Sequence, residues 1–87
     1  MKYEHSKTGW KFELGTLTQS KAEILMEAIT AEHKTGLHRN HVIVDTAIES
    51  GWLDGDWDVP NMDPVQVFWM AQKISDAYMQ GITIPKE

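Results

Sequence analysis

Cysteine is absent from the 87 residues. That excludes disulfide scaffolding, thiolate nucleophiles and the usual structural zinc sites, and it accords with a reducing compartment. Long apolar runs are also missing. No stretch approaches the ~20 residues of a membrane span, and Met1-Lys2-Tyr3-Glu4-His5 has no apolar run behind it, unlike a secretory signal. The expectations are a cytoplasmic protein with no membrane partner. Basic residues are scarce where acids are plentiful. Residues 42–87 hold two lysines, Lys73 and Lys86, against eight acids, whereas residues 1–41 are near neutral, and the net charge is −5. Such a surface repels phosphate backbones and argues against direct nucleic-acid binding. A basic protein surface suits it better.

What the chain does have is an ordinary apolar share, 41%, and four tryptophans. This is too apolar for a disordered chain, and the length allows one core, so a single domain over 1–87 is expected. Four tryptophans are hard to hide in so small an interior.

The fold expected is mainly α with a short N-terminal β element. Three helices, at about 19–34, 41–50 and 64–80, pack on a strand at about 10–14. Trp10-Lys11-Phe12-Glu13-Leu14 alternates between apolar and polar and is bounded by Gly9 and Gly15. Tyr3 to Thr8 reads as an extended lead-in or a partner strand, with a turn at Ser6-Lys7-Thr8-Gly9. Ser20 and Glu23 form a capping box for the first helix, Thr18 is an alternative cap, and Gly36 supplies a C-cap. Ala22, Leu25, Met26 and Ile29 form its apolar stripe, widened by Ile24 and Ala28. Asn40 caps the second helix, whose Ile43, Val44, Ala47 and Ile48 share one side. Asp63 and Pro64 open the third. Its apolar face comprises Val67, Ala71, Ile74 and Tyr78, with Phe68, Met70 and Ala77 beside them, and Gly81 closes it. Ile82-Thr83-Ile84 alternates and could pair with the Trp10–Leu14 strand. An open strand edge and surplus tryptophan raise the expectation of a homo-oligomer.

The connection from the second helix to the third, Gly51 to Pro64, concentrates the unusual residues. Asp54, Asp56 and Asp58 alternate as in the start of a calcium loop, but Val59 stands where that loop needs glycine and Val65 where it needs a bidentate glutamate. No metal or other cofactor is expected. Trp57, a large rigid side chain ringed by carboxylates, reads instead as a recognition element. The candidate partner-binding residues are Trp52, Asp54, Asp56, Trp57, Asp58 and Trp69, the last either covering this connection or exposed as part of a binding patch. His38 and His41 could share a metal only on a helix, and the cap expected at Asn40 separates them. Ser6, Ser20, Ser50 and Ser75 lie in unrelated settings, no catalytic constellation emerges, and no enzyme is expected.

The layout itself is informative. A strand carrying Trp10-Lys11-Phe12-Glu13-Leu14 leads through Gly15-Thr16-Leu17-Thr18 into a helix. A Trp/Asp/Pro-rich connection follows the second helix, and Asp63-Pro64 opens a last helix bearing Trp69. This order resembles small proteins of tailed bacteriophages and prophages, in particular the tail assembly chaperone-like group. The resemblance implies a non-enzymatic, phage-type accessory protein that binds the tape measure protein while the tail tube polymerises. It transfers no functional residue. A second expectation, from size and acidity, is an anti-CRISPR-like inhibitor whose carboxylates stand in for nucleic-acid phosphates.

Overall fold

The computed structural model describes residues 1–82. Two short antiparallel strands, β1 (Lys2–Glu4) and β2 (Lys11–Glu13), precede three helices, α1 (Gln19–Thr30), α2 (Gly36–Glu49) and α3 (Pro64–Ile82), with a single 3-10 turn at Val59–Asn61. The mainly helical architecture on an N-terminal β element is the one the hydropathy pattern anticipates.

The hairpin follows from side-chain alternation and one glycine. Tyr3 pairs with Phe12 in the ladder and their rings stack, with centroids 4.9 Å apart. On the opposite face every cross-strand pair joins unlike charges, Lys2 with Glu13 and Glu4 with Lys11, a pairing that favours this register. At the turn, Gly9 has φ +76, the left-handed region where glycine has no steric penalty. The His5 ring Nδ1 accepts the amides of Lys7 and Thr8, each at 3.3 Å, and braces the loop from inside. Beyond β2, Leu14 forms an isolated antiparallel bridge with Leu53. The lateral order is therefore the Leu53 segment, β2, then β1.

Each helix begins or ends differently from the sequence expectation, for a local reason. Thr18, not Ser20, caps α1, its hydroxyl accepting the Lys21 amide at 3.3 Å. The helix stops at Thr30 rather than near residue 34 because side chains from outside it take its last carbonyls. The His33 Nε2 lies 2.9 Å from the Ala28 carbonyl and the Arg39 guanidinium donates to that of Ile29 at 3.4 Å. Gly36 is accordingly no C-cap. It is the first residue of α2, which starts five residues before the expected 41, and its cap is Thr35, whose hydroxyl accepts the His38 amide at 3.0 Å. Asn40 lies inside the helix. At the far end, Gly51 has φ +79 and turns the chain.

Asp63 does cap α3, its carboxylate accepting the Val65 amide at 2.9 Å. The helix runs past Gly81 to Ile82, so Ile82 is helical and not part of an extended tail; the pairing expected of Thr83 and Ile84 lies outside the described residues. A side chain at Gly81 would meet Leu17, whose Cδ2 lies 2.6 Å from where a Cβ would stand. Gly81 thus packs closely against Leu17 within the helix and does not terminate it.

One cluster gathers Phe12, Leu14, Leu25, Ile43, Trp52, Met70 and Ile74 with their neighbours from every element. Among the described residues no polar or charged residue is buried. Each fully buried large aliphatic contributes about 1.5–3 kcal/mol over an exposed one, so this apolar interior is the main source of stability. Several residues assigned to apolar stripes lie outside it. Ile24 and Met26 on α1 and Phe68 on α3 are exposed, Phe68 by 52%. Phe68 sits about 100° from both Val67 and Trp69 around the helix, and of the three it points furthest from the core.

Candidate functional site

The α2–α3 connection is an anchored loop. Trp52 and Leu53 enter the core directly after Gly51, with 1% and 3% exposure. The Trp52 indole N–H donates to the Gly15 carbonyl at 2.9 Å, while the Gly15 amide donates to the Trp52 carbonyl at 2.9 Å. The Asp54 amide completes the bridge by donating to Glu13 at 3.0 Å. Val59, 4% exposed, enters the core again at the 3-10 turn. Between these anchors the chain has only a short excursion, Asp54 to Asp58.

That excursion folds on itself through Trp57. Its indole N–H donates to the Asp54 carbonyl at 2.9 Å, and its ring covers Gly55, which has φ +99. A Cβ at residue 55 would lie 3.2 Å from the Trp57 Nε1. Trp57 is half-buried and packs against the core edge. Asp54, Asp56 and Asp58 are exposed. Asp58 accepts the Asn61 side-chain amide at 2.7 Å, and no basic side chain among the described residues pairs with any of the three. The loop thus presents carboxylates to solvent from a framework fixed at both ends.

The six residues expected to bind a partner separate into three groups. Asp54, Asp56, Asp58 and Trp57 share the loop. Trp52 is a core anchor and offers no surface, because its ring is enclosed and its N–H engaged within the fold. Trp69 neither covers the connection nor stands exposed as a binding patch. It is half-buried under the hairpin, with ring centroids 5.3 Å from Phe12, 5.5 Å from His5 and 6.4 Å from Trp10. The β element, not the acidic connection, takes the tryptophan of α3. Tyr3 lies on the same side, its phenol pushed above the ordinary value by burial and secondarily by the Asp76 carboxylate.

Of the remaining candidates, the two α2 histidines and Ser50 have local partners, whereas the Ser75 hydroxyl is buried without a hydrogen-bond partner. His38 and His41 are both on α2, the helical placement that the expected cap argued against. His41 pairs with Asp45 at 2.9 Å, and His38 lies against His33 with centroids 5.6 Å apart. Among the described residues no three His, Asp or Glu side chains converge as metal ligands. Ser50 donates to the Ala47 carbonyl at 3.0 Å. The pattern reading missed two surface features, the alternating charges on the hairpin's outer face and the apolar pair Val65 and Phe68 on α3. The three-residue step between Val65 and Phe68 is visible in the sequence, but Phe68 also borders the apolar stripe of α3, where the sequence pattern places it.

Fold and site together define a small three-helix domain with a β-hairpin cover and one tethered acidic loop. Among the described residues no helix is long and apolar enough to cross a membrane. No protein-family model matches the chain, and no curated protein or solved structure matches it either.

Proposed function

We propose that this protein is a non-enzymatic binding module whose α2–α3 loop docks on a basic surface of another protein. The observation that carries this reading is the exposed set Asp54, Asp56 and Asp58, without basic partners among the described residues, on a loop held by Trp52, Trp57 and Val59. A pre-ordered loop loses little conformational entropy on binding, and its charge would speed encounter with a cationic partner. Trp57 adds a rigid apolar edge beside the carboxylates, the composition of an interface anchor. The setting proposed is phage or prophage tail assembly in the host cytoplasm, supported only by the layout resemblance.

The same unpaired carboxylates favour a second reading, an inhibitor that occupies the nucleic-acid site of a host defence protein. Affinity capture from the native host, followed by titration with the purified captured protein, tests both. Neutralising Asp54, Asp56 and Asp58 to asparagine should weaken binding at least tenfold and flatten its salt dependence. Unchanged affinity in a folded triple variant refutes the loop as the site. Competition by nucleic acid would select the inhibitor reading over the assembly one.

A further inference from the structure

We infer that the free edge of β1 is a self-association surface, on which a second copy of this chain adds its own β1 antiparallel, centred on Tyr3. The argument starts from which main-chain groups are already used. Met1 and Leu14 exchange hydrogen bonds at 2.7 and 2.8 Å, and the His5 amide donates to the Trp10 carbonyl at 2.7 Å. In an antiparallel ladder the bonded positions alternate. Residues 1, 3 and 5 therefore turn their main-chain groups toward β2, and Lys2 and Glu4 turn theirs outward. Among the described residues no strand pairs with that side. The opposite edge of the hairpin is not equivalent, because Glu13 and Gly15 already bond to the 52–54 segment. β1 is the outer strand.

Charge selects both the occupant and the register. With Tyr3 opposite its symmetry mate, Lys2 of each copy faces Glu4 of the other, and both pairs sit at hydrogen-bonded positions. Slipping by two residues in either direction sets Lys2 against Lys2 or Glu4 against Glu4, and slipping by one turns Tyr3 to the charged face. Lys2 already opposes Glu13 and Glu4 opposes Lys11 within the hairpin. The centred register thus extends an alternation of unlike charges across all four strands. Sequence and symmetry agree in the way an isologous interface requires.

The helix beneath adds a second element. The hairpin lies over α3 through Trp69, so pairing β1 with β1 sets two hairpin centres about 10 Å apart, a distance at which α-helices pack. Val65 and Phe68, exposed on α3 by 62% and 52%, are among the apolar residues of that helix open to such contact. The surface is separate from the acidic loop, so it leaves partner binding open.

Sedimentation velocity of the full chain from about 10 µM to about 1 mM should show a concentration-dependent monomer–dimer equilibrium. Lys2→Glu and Glu4→Lys should each be monomeric, since each sets like charges opposite one another. Their equimolar mixture should recover the dimer, because the two edges are then complementary. Glu4→Pro takes away an outward amide that β2 does not use, together with the carboxylate that faces Lys11 and Lys2 of the second copy, so it should abolish the dimer while circular dichroism stays that of the wild type; it also serves if a charge variant fails to fold. A wild-type chain monomeric throughout overturns the inference. So do a dimer unaffected by Glu4→Pro, a mixture that stays monomeric, or a dimer that forms only once residues 83–87 are deleted, which would make the chain's own tail the occupant.

Discussion

The indole N–H of Trp52 donates to the Gly15 carbonyl at 2.9 Å across 37 residues of sequence. This contact joins the start of the acidic connection to the exit of the hairpin, and it anchors one side of the loop. Replacing Trp52 by phenylalanine removes the donor and part of the ring volume while leaving the Gly15 carbonyl inside. A loss of about 2–3 kcal/mol in unfolding free energy is expected from urea denaturation. Trp57→Phe, at a half-buried position, should lose about 1 kcal/mol or less.

Capping residues provide a sharper check on the helix boundaries. Thr18→Ala and Thr35→Ala should each destabilise by about 1 kcal/mol, the usual value of an N-cap hydroxyl. Ser20→Ala should change stability by no more than about 0.5 kcal/mol, because Ser20 lies past the cap. The opposite ranking in thermal or chemical unfolding would place the start of α1 at Ser20 instead.

Two glycine substitutions should diverge. Gly55→Ala combines φ +99 with a 3.2 Å approach to the Trp57 indole, so it should cost about 1–2 kcal/mol and shift tryptophan emission as the ring is displaced. Gly81→Ala gains about 1 kcal/mol of helix propensity but must push aside a Leu17 methyl. The net effect should lie within about 0.5 kcal/mol of zero. Equilibrium unfolding of both variants distinguishes strain from crowding.

Tyr3 gives the fold an alkaline limit. Its phenol is raised above the ordinary value of 10.0 by burial and then by Asp76, so the folded chain holds the proton more tightly than the unfolded one. The stability that follows is complete below about 10 and is lost as pH rises through the higher folded value. Urea midpoints measured across the alkaline range should fall for the wild type and fall less for Tyr3→Phe.

Legibility in the sequence followed the strength of the local signal. The α3 start was readable because Asp63-Pro64 combines a side-chain cap with a fixed φ. The β2 face was readable because three apolar residues alternate with charges. Helix boundaries around residues 31–40 were not, because they depend on His33 and Arg39 reaching back to α1 carbonyls. Trp52 and Trp57 look alike in sequence, each within two residues of a glycine and an aspartate, yet one is a core anchor and the other a loop brace. The Leu14–Leu53 bridge and the Trp52–Gly15 hydrogen bonds separate them, and no short-range pattern announces either. Trp69 was misplaced for a related reason, since its contacts come from the other end of the chain.

No charged or polar residue is buried among those described, and the carboxylates that bond within the fold, Asp58 to Asn61 and Asp63 to the Val65 amide, lie at the surface. Near its sequence isoelectric point of about 5.2 the molecule should lose colloidal repulsion before it loses shape. Material that clouds there would be native particles, recoverable by returning to neutral pH, and acid precipitation becomes a gentle purification step.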